Sequence, residues 1–98
     1  MPKAEISWKR TTTEGDELQC YAQHVGKQWV FYKREKRFDR WEQVAQPPLE
    51  DWLALLDSVR RRINRQLLPP ETEVRLRKMI LDRFPEEGRR AIGSEGTA

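Results

Sequence analysis

The chain has 98 residues, of which 36% are charged, and its formal net charge is +3 at neutral pH. This length suits one small domain with a modest core, and nine aromatic residues supply the large side chains that such a core needs. Because both charge signs are abundant and apolar residues are well represented, the composition excludes a disordered chain.

The cysteine content and the apolar runs further limit the class of protein to which the chain can belong. Cys20 is the single cysteine, so no disulfide can form within the chain, and its place in a strand pattern predicts a small buried hydrophobic residue. No apolar run approaches the roughly 20 residues of a membrane span, and residues 1–6 lack the apolar stretch of a signal peptide. We therefore expect a soluble protein with a cytoplasmic location.

Strand-like patterns fill the first half of the chain, after a short tail over residues 1–5. The predicted strands cover residues 6–13, 18–25, 28–34 and, with poorer alternation, 38–44. Turn signals separate them at Gly15, at Gly26 and over residues 35–37. This succession of short strands and turns predicts an antiparallel meander.

The turn at Gly26 determines which side chains share a face of the sheet. If Gly26 and Lys27 form a two-residue turn, Tyr21 lies opposite Tyr32. The more uniformly apolar face, which we expect to be the core face, then holds Leu18, Cys20, Ala22, Trp29 and Phe31. The opposite face holds Tyr21, Val25, Val30 and Tyr32.

Two helices are predicted in the second half, each after a pair of prolines. Pro47-Pro48 and Pro69-Pro70 precede acidic turns and apolar residues at helical spacing. Proline fits the first helical turn, and carboxylates there face the positive end of the helix dipole. The spacing predicts helices over residues 48–67 and 70–84, the second of which ends at Pro85. Residues 86–98 are expected to be a disordered tail.

Both predicted helices have an apolar face that requires cover. In the first helix the face comprises Leu49, Trp52, Leu53, Leu56, Val59, Ile63 and Leu67, and in the second it comprises Val74, Leu76, Ile80, Leu81 and Phe84. Arg60 projects onto the apolar side, where its head must reach water or a carboxylate. We therefore predict an α+β fold within residues 6–85, a three- or four-stranded antiparallel meander followed by two helices packed on one face of the sheet.

The sequence offers no recognisable catalytic or metal-binding pattern. His24 and Cys20 lie four residues apart on one predicted strand, which separates them by about 13 Å, and a nucleophile and its base must be within hydrogen-bond reach. One Cys and one His do not make a zinc site, and the dispersed glycines do not form a phosphate-binding loop. We expect a protein that is not an enzyme and uses no cofactor or metal.

Basic residues fall into two blocks, one of which is interleaved with aromatic residues. Residues 27–40 contain six Lys or Arg, and residues 58–65 contain four Arg. Proteins that bind single strands combine aromatic stacking platforms with cationic grooves. The predicted nucleic-acid-binding residues are Tyr21, Tyr32, Lys33, Arg34, Arg37, Arg40, Arg61 and Arg65, with DNA or RNA as the partner.

Other interpretations of the same residues stay open. A three-stranded sheet can also insert into a DNA major groove, where Lys and Arg contact phosphates and base edges. Glu35 and Asp39 interrupt the first basic block, as in an ordinary solvated surface. Apolar helix surface beyond what a small sheet covers would instead indicate binding to another protein or to a second copy of this chain. Neither a membrane nor a small-molecule substrate is indicated.

Overall fold

The computed structural model describes residues 5–26, 28–35 and 40–92. Over these residues the chain forms four strands and then three helices: β1 (Glu5–Thr11), β2 (Glu17–Val25), β3 (Gln28–Arg34), β4 (Glu42–Val44), α1 (Leu49–Asn64), α2 (Glu71–Arg83) and α3 (Pro85–Ile92). The predicted α+β class, with an antiparallel sheet followed by helices, is confirmed. The chain divides into two compact units, Met1–Pro47 and Pro48–Ala98.

The strands of the first unit pair in sequence order, β1-β2-β3-β4, and every pair is antiparallel. The predicted register between β2 and β3 is confirmed, because Tyr21 lies opposite Tyr32 and Ala22 opposite Phe31. Gly26 has a φ of 63°, the positive value that a tight hairpin turn requires. β4 begins at Glu42, later than predicted, and residues 36–39 before it lie outside the described ranges.

The predicted core face of the sheet is confirmed. Its five residues, Leu18, Cys20, Ala22, Trp29 and Phe31, are at most 8% exposed. Ile6 and Trp8 of β1 lie opposite Ala22 and Cys20 and therefore share this face. The Trp8 ring makes an edge contact with Phe31, with the ring centroids 5.9 Å apart. The period-two alternation of apolar residues thus gives one dry face and one open face.

α1 is shorter than predicted at both ends. Pro48 is extended, with ψ at 160°, so the helix begins at Leu49. At the other end Gln66 adopts a left-handed φ of 62°, and the Leu67 N–H donates to the Arg62 carbonyl at 2.8 Å. This turn directs the chain away from the helix before Leu67. Leu67 was predicted on the apolar face, but it is 62% exposed.

The helical unit has its own buried side chains, contributed by Trp52, Leu55, Leu56, Val59, Leu76, Ile80 and Ile92. Leu55 is fully buried although it was not among the residues predicted on the apolar face of the first helix. Val74, which was predicted on the apolar face of the second helix, is 66% exposed. The prediction for Arg60 is confirmed, because its Nε donates to the Glu73 carboxylate at 2.9 Å. The guanidinium of Arg83 lies 4.9 Å from the Trp52 ring centroid, a cation–π contact.

The expectation of a tail from residue 86 is wrong for residues 86–92. Phe84 leaves the helical region, as expected before Pro85, but Pro85 itself starts α3, a position that proline favours. Gly88 is buried, and a Cβ there would lie 3.2 Å from Ile80 Cγ2. Ile92 is 4% exposed. Residues 93–98 lie outside the described ranges.

Candidate functional site

The described residues opposite the core face form five rows that run across the strands: three central rows, flanked by the pair Thr11 and Glu17 beyond the basic row and the pair Val25 and Gln28 beyond the acidic row. The aromatic row consists of Ser7, Tyr21, Tyr32 and Gln43. The basic row consists of Lys9, Gln19 and Arg34. The acidic row consists of Glu5, Gln23 and Val30. We call this surface the open face, since all its members are half-buried or exposed.

Three aromatic side chains form a cluster on the open face. The rings of Tyr21 and Tyr32 stack almost parallel, with centroids 4.7 Å apart and an interplanar angle of 10°. Trp41, which precedes β4, makes an edge contact with Tyr21 at 4.7 Å and 83°. Trp41 is 38% exposed. We call Tyr21, Tyr32 and Trp41 the aromatic cluster. Large aromatic surfaces outside a core are typical of binding faces.

Arg34 joins the basic row to this cluster. Its guanidinium carbon lies 4.3 Å from the Trp41 ring centroid, and its Nε donates to Gln19 Oε1 at 2.7 Å. These two contacts hold the planar cation over one face of the indole. The hydrogen bond to Gln19 uses Nε, so the terminal NH₂ groups remain as donors for an anionic ligand.

A groove of about 470 Å³ adjoins Trp41. It is lined by Ser7, Trp8, Lys9, Gln19, Cys20, Arg34 and Trp41. The lining therefore combines two indoles with a hydroxyl group, a thiol, an amide and two cations. Aromatic stacking surface beside hydrogen-bond donors and positive charge suits a planar ligand that carries negative charge.

The electrostatic surroundings of Tyr21 reflect its position between the rows. Burial raises the pKa of the Tyr21 phenol above its ordinary value of 10.0, with further contributions from Tyr32 and the negative Glu5. The phenol is therefore protonated at neutral pH and can donate a hydrogen bond. Glu5 thus lies close enough for its negative charge to disfavour the ionised form of the Tyr21 phenol.

The predicted site residues of the first unit separate into two groups. Tyr21, Tyr32 and Arg34 come together on the open face. Lys33 pairs with the buried Cys20, so it lies on the core face of the sheet and not on the open face. A second cavity of about 320 Å³ is lined by Lys33 and Arg40, and Arg34 also borders it. Its lining includes two carboxylates, those of Glu35 and Glu42. That cavity has mixed charge. Arg37 lies outside the described ranges.

Arg61 and Arg65, also predicted as nucleic-acid contacts, belong to the helical unit. Arg61 forms an ion pair with Asp57 one turn earlier, and both side chains are more than 60% exposed. Arg65 is the C-cap residue of α1. These two arginines border a small cavity of their own rather than the groove on the open face.

Sequence reasoning missed Trp41, Lys9 and Gln19 as parts of the site. Lys9 and Gln19 could have been found, because they pair in β1 and β2 and alternate with apolar residues of the core face. Trp41 had no such signal, since it precedes a three-residue strand and its position depends on how the chain enters β4.

The residues weighed for catalysis have other environments. The His24 ring stacks on Trp29 with centroids 4.4 Å apart, and Cys20 is buried. Within the described ranges, no group of three or more His, Cys, Asp or Glu could hold a metal ion. In the same part of the chain, no helix is both long and apolar enough to cross a membrane.

Comparison with known proteins gives no further guidance. No protein-family model, curated protein or solved structure matches this chain. The geometry of the open face is therefore the feature from which a function can be inferred.

Proposed function

We propose that the open face binds single-stranded nucleic acid. Bases would stack on Tyr32 and Trp41, and phosphates would be neutralised by Lys9 and Arg34. The observation that carries this proposal is the aromatic cluster, which lies on an exposed sheet face beside a guanidinium and a groove. A cytoplasmic location is part of the proposal, in keeping with the single buried thiol of Cys20.

Tyr21 and Tyr32 cover one face of each other, and Arg34 covers one face of Trp41. Among the described residues, one face of Tyr32 and one face of Trp41 have no aromatic or cationic group stacked on them, and Gln43 lies beside Tyr32 in the aromatic row. Unpaired bases expose π faces that can stack there, whereas the bases of a duplex are stacked on each other. This favours single strands over insertion of the sheet into a major groove.

The order of the rows on the open face indicates where the phosphates and the bases of a ligand would lie. The aromatic row lies between the basic row, which contains Lys9 and Arg34, and the acidic row, which contains Glu5. Successive rows are about 7 Å apart along a strand. We therefore place the sugar–phosphate backbone along the basic row, where counterion release would contribute to affinity.

Fluorescence anisotropy with short mixed-sequence oligonucleotides tests the proposal. Wild-type protein should bind single strands more tightly than duplexes of the same length, with an affinity that falls steeply between low and moderate salt. Tyr32→Ala should weaken binding about 5- to 150-fold, because stacking of a base on an aromatic ring is worth about 1–3 kcal/mol. Tyr32→Phe should retain most of the affinity.

Val25→Ala is the matched control, since Val25 is apolar, 41% exposed and on the same face as Tyr32. It should leave the affinity unchanged. Absence of binding at low salt would exclude the proposed function. Equal losses for Tyr32→Ala and Val25→Ala would show that the aromatic cluster is not the binding site.

Self-association through the helical unit is a second candidate function. Leu67 and Val74 are 62% and 66% exposed although both are large and apolar. A second copy of the chain would cover these side chains if they form one contiguous apolar patch. The two candidates differ in their response to salt, because apolar burial does not release counterions.

A further inference from the structure

Four arginines lie close together at the end of α1, and they differ in their partners. Arg60 pairs with the carboxylate of Glu73, and Arg61 pairs with Asp57. Within the part of the chain that the structure describes, the side chains of Arg62 and Arg65 have no carboxylate partner. Among the described residues, two guanidinium groups at this end of the helix therefore have no ion-pair partner.

The same two arginines border a cavity of about 220 Å³. One side of α1 contributes Ser58, Arg62 and Arg65 to the lining of this cavity. Their i, i+4 and i+7 spacing places them on a common face of the helix. Arg61 and the exposed Leu67 complete the described lining. None of these lining residues is acidic, in contrast to the cavity beside β4, which contains two carboxylates.

The carbonyl groups at the end of α1 do not need these side chains as hydrogen-bond donors. Arginine near a helix C-terminus often binds the last carbonyl groups. Here those carbonyls already accept backbone N–H groups: Arg61 O from Arg65 N, Arg62 O from Leu67 N and Ile63 O from Gln66 N, at 2.8–3.2 Å. The guanidinium groups are therefore not needed to satisfy them.

We infer that this cavity binds a phosphate monoester group. Its two guanidinium groups without a described ion-pair partner match the charge of about −1.5 to −2 that a phosphate monoester carries near neutral pH, and their planar forks fit phosphate oxygens. The Ser58 hydroxyl adds a hydrogen-bonding group, and Leu67 offers apolar surface to the organic part of the ligand. A phosphodiester, with a single charge, fits less well. This inference does not rest on the proposed nucleic-acid function of the open face.

Amide chemical-shift titration of the full chain at constant ionic strength tests the inference. The probes are methyl phosphate, a monoester, and dimethyl phosphate, a diester. Methyl phosphate should bind at least about fivefold more tightly and shift amides over residues 58–67. Arg62→Gln and Arg65→Gln should each weaken its binding about tenfold or more, the effect of losing a hydrogen bond between charged groups. Arg62→Lys should cause a smaller loss, because it keeps the charge without the fork.

Arg75→Gln is the matched control, since Arg75 is an exposed arginine of α2 that does not line the cavity, and it should leave the affinity unchanged. Equal binding of the two probes, shifts outside residues 58–67, or equal losses for Arg62→Gln and Arg75→Gln would overturn the inference. Inorganic phosphate and a 5′-phosphorylated oligonucleotide, used as further probes, distinguish a small phosphate from a nucleic-acid terminus as the source of the group.

Discussion

Tyr21 is the residue at which stacking, burial and charge act together on the open face. It contacts Tyr32 and Trp41, and burial and the negative Glu5 raise the pKa of its phenol. The pKa of the Tyr21 phenol can be measured, and it depends on the arrangement of the rows.

Protein stability should decrease above pH 10 because of Tyr21. The folded protein holds the phenolic proton more tightly than the unfolded chain, in which the pKa is about 10.0. The unfolded state thus loses the proton first, and the free energy of unfolding falls as the pH rises from there through the higher folded-state pKa. Tyr21→Phe should reduce this alkaline decrease in urea unfolding experiments. An unchanged slope for the variant would contradict the prediction.

Glu5→Gln should strengthen oligonucleotide binding and lower the pKa of Tyr21. The substitution removes the negative charge of the acidic row, which raises the Tyr21 pKa and would repel phosphates. We expect a two- to threefold gain in affinity at low salt, equivalent to about 0.5 kcal/mol, which disappears at high salt. Anisotropy and phenolate absorbance measure the two effects. Glu14→Gln, at an exposed turn outside the rows, is the control.

At the scale of elements, the sheet was more predictable than the ends of the helices. The register and core face of β2 and β3 followed from one turn and a period-two pattern, because a one-residue slip would expose every apolar side chain. The end of α1 had no comparable signal, since it depends on Gln66 adopting a left-handed φ that its residue type does not favour. Leu67 was therefore misplaced.

α3 was missed for a related reason. Gly88 of α3 packs closely against Ile80 of α2, but it has no side chain and so does not contribute to a hydrophobic pattern in the sequence. Only Ile92 marks the buried face, at the last turn of the helix. Part of the candidate site was equally hidden, because Trp41 contacts Tyr21 from outside any strand.

Ile92→Ala should test whether α3 packs as the structure shows. Ile92 is 4% exposed, so its truncation should lower the free energy of unfolding by about 2–3 kcal/mol, a typical loss for a buried aliphatic side chain. Leu67→Ala is the control, since Leu67 is 62% exposed and should change stability by less than about 0.5 kcal/mol. Urea unfolding measures both. Equal effects would contradict the assignment of Ile92 to a core.

At the scale of the whole molecule, charge separates the two candidate functions. The net charge of +3 arises from 19 basic and 16 acidic residues, so overall attraction to a polyanion is weak. The proposed affinity for nucleic acid would therefore have to come from the local arrangement of Lys9 and Arg34 beside the aromatic cluster. Self-association through Leu67 and Val74 would not need that arrangement.

Val74→Lys should separate these functions in the full chain. Placing a charge at a position that is 66% exposed costs little folding energy, but it would oppose burial of this surface against a second copy. If the chain self-associates here, the mass from light scattering should rise with concentration for wild type and stay constant for the variant. Oligonucleotide affinity should stay within twofold. A constant wild-type mass would exclude the second candidate function.

The stacked phenols of Tyr21 and Tyr32 have one more consequence, which concerns selectivity. Each ring is held by the other before any ligand arrives, so docking has little side-chain rotamer entropy left to remove. A preorganised aromatic surface of this kind would interact with the planar face of a base rather than with the hydrogen-bonding groups along its edge. We therefore expect adenine, guanine, cytosine and thymine to be accommodated with similar affinity.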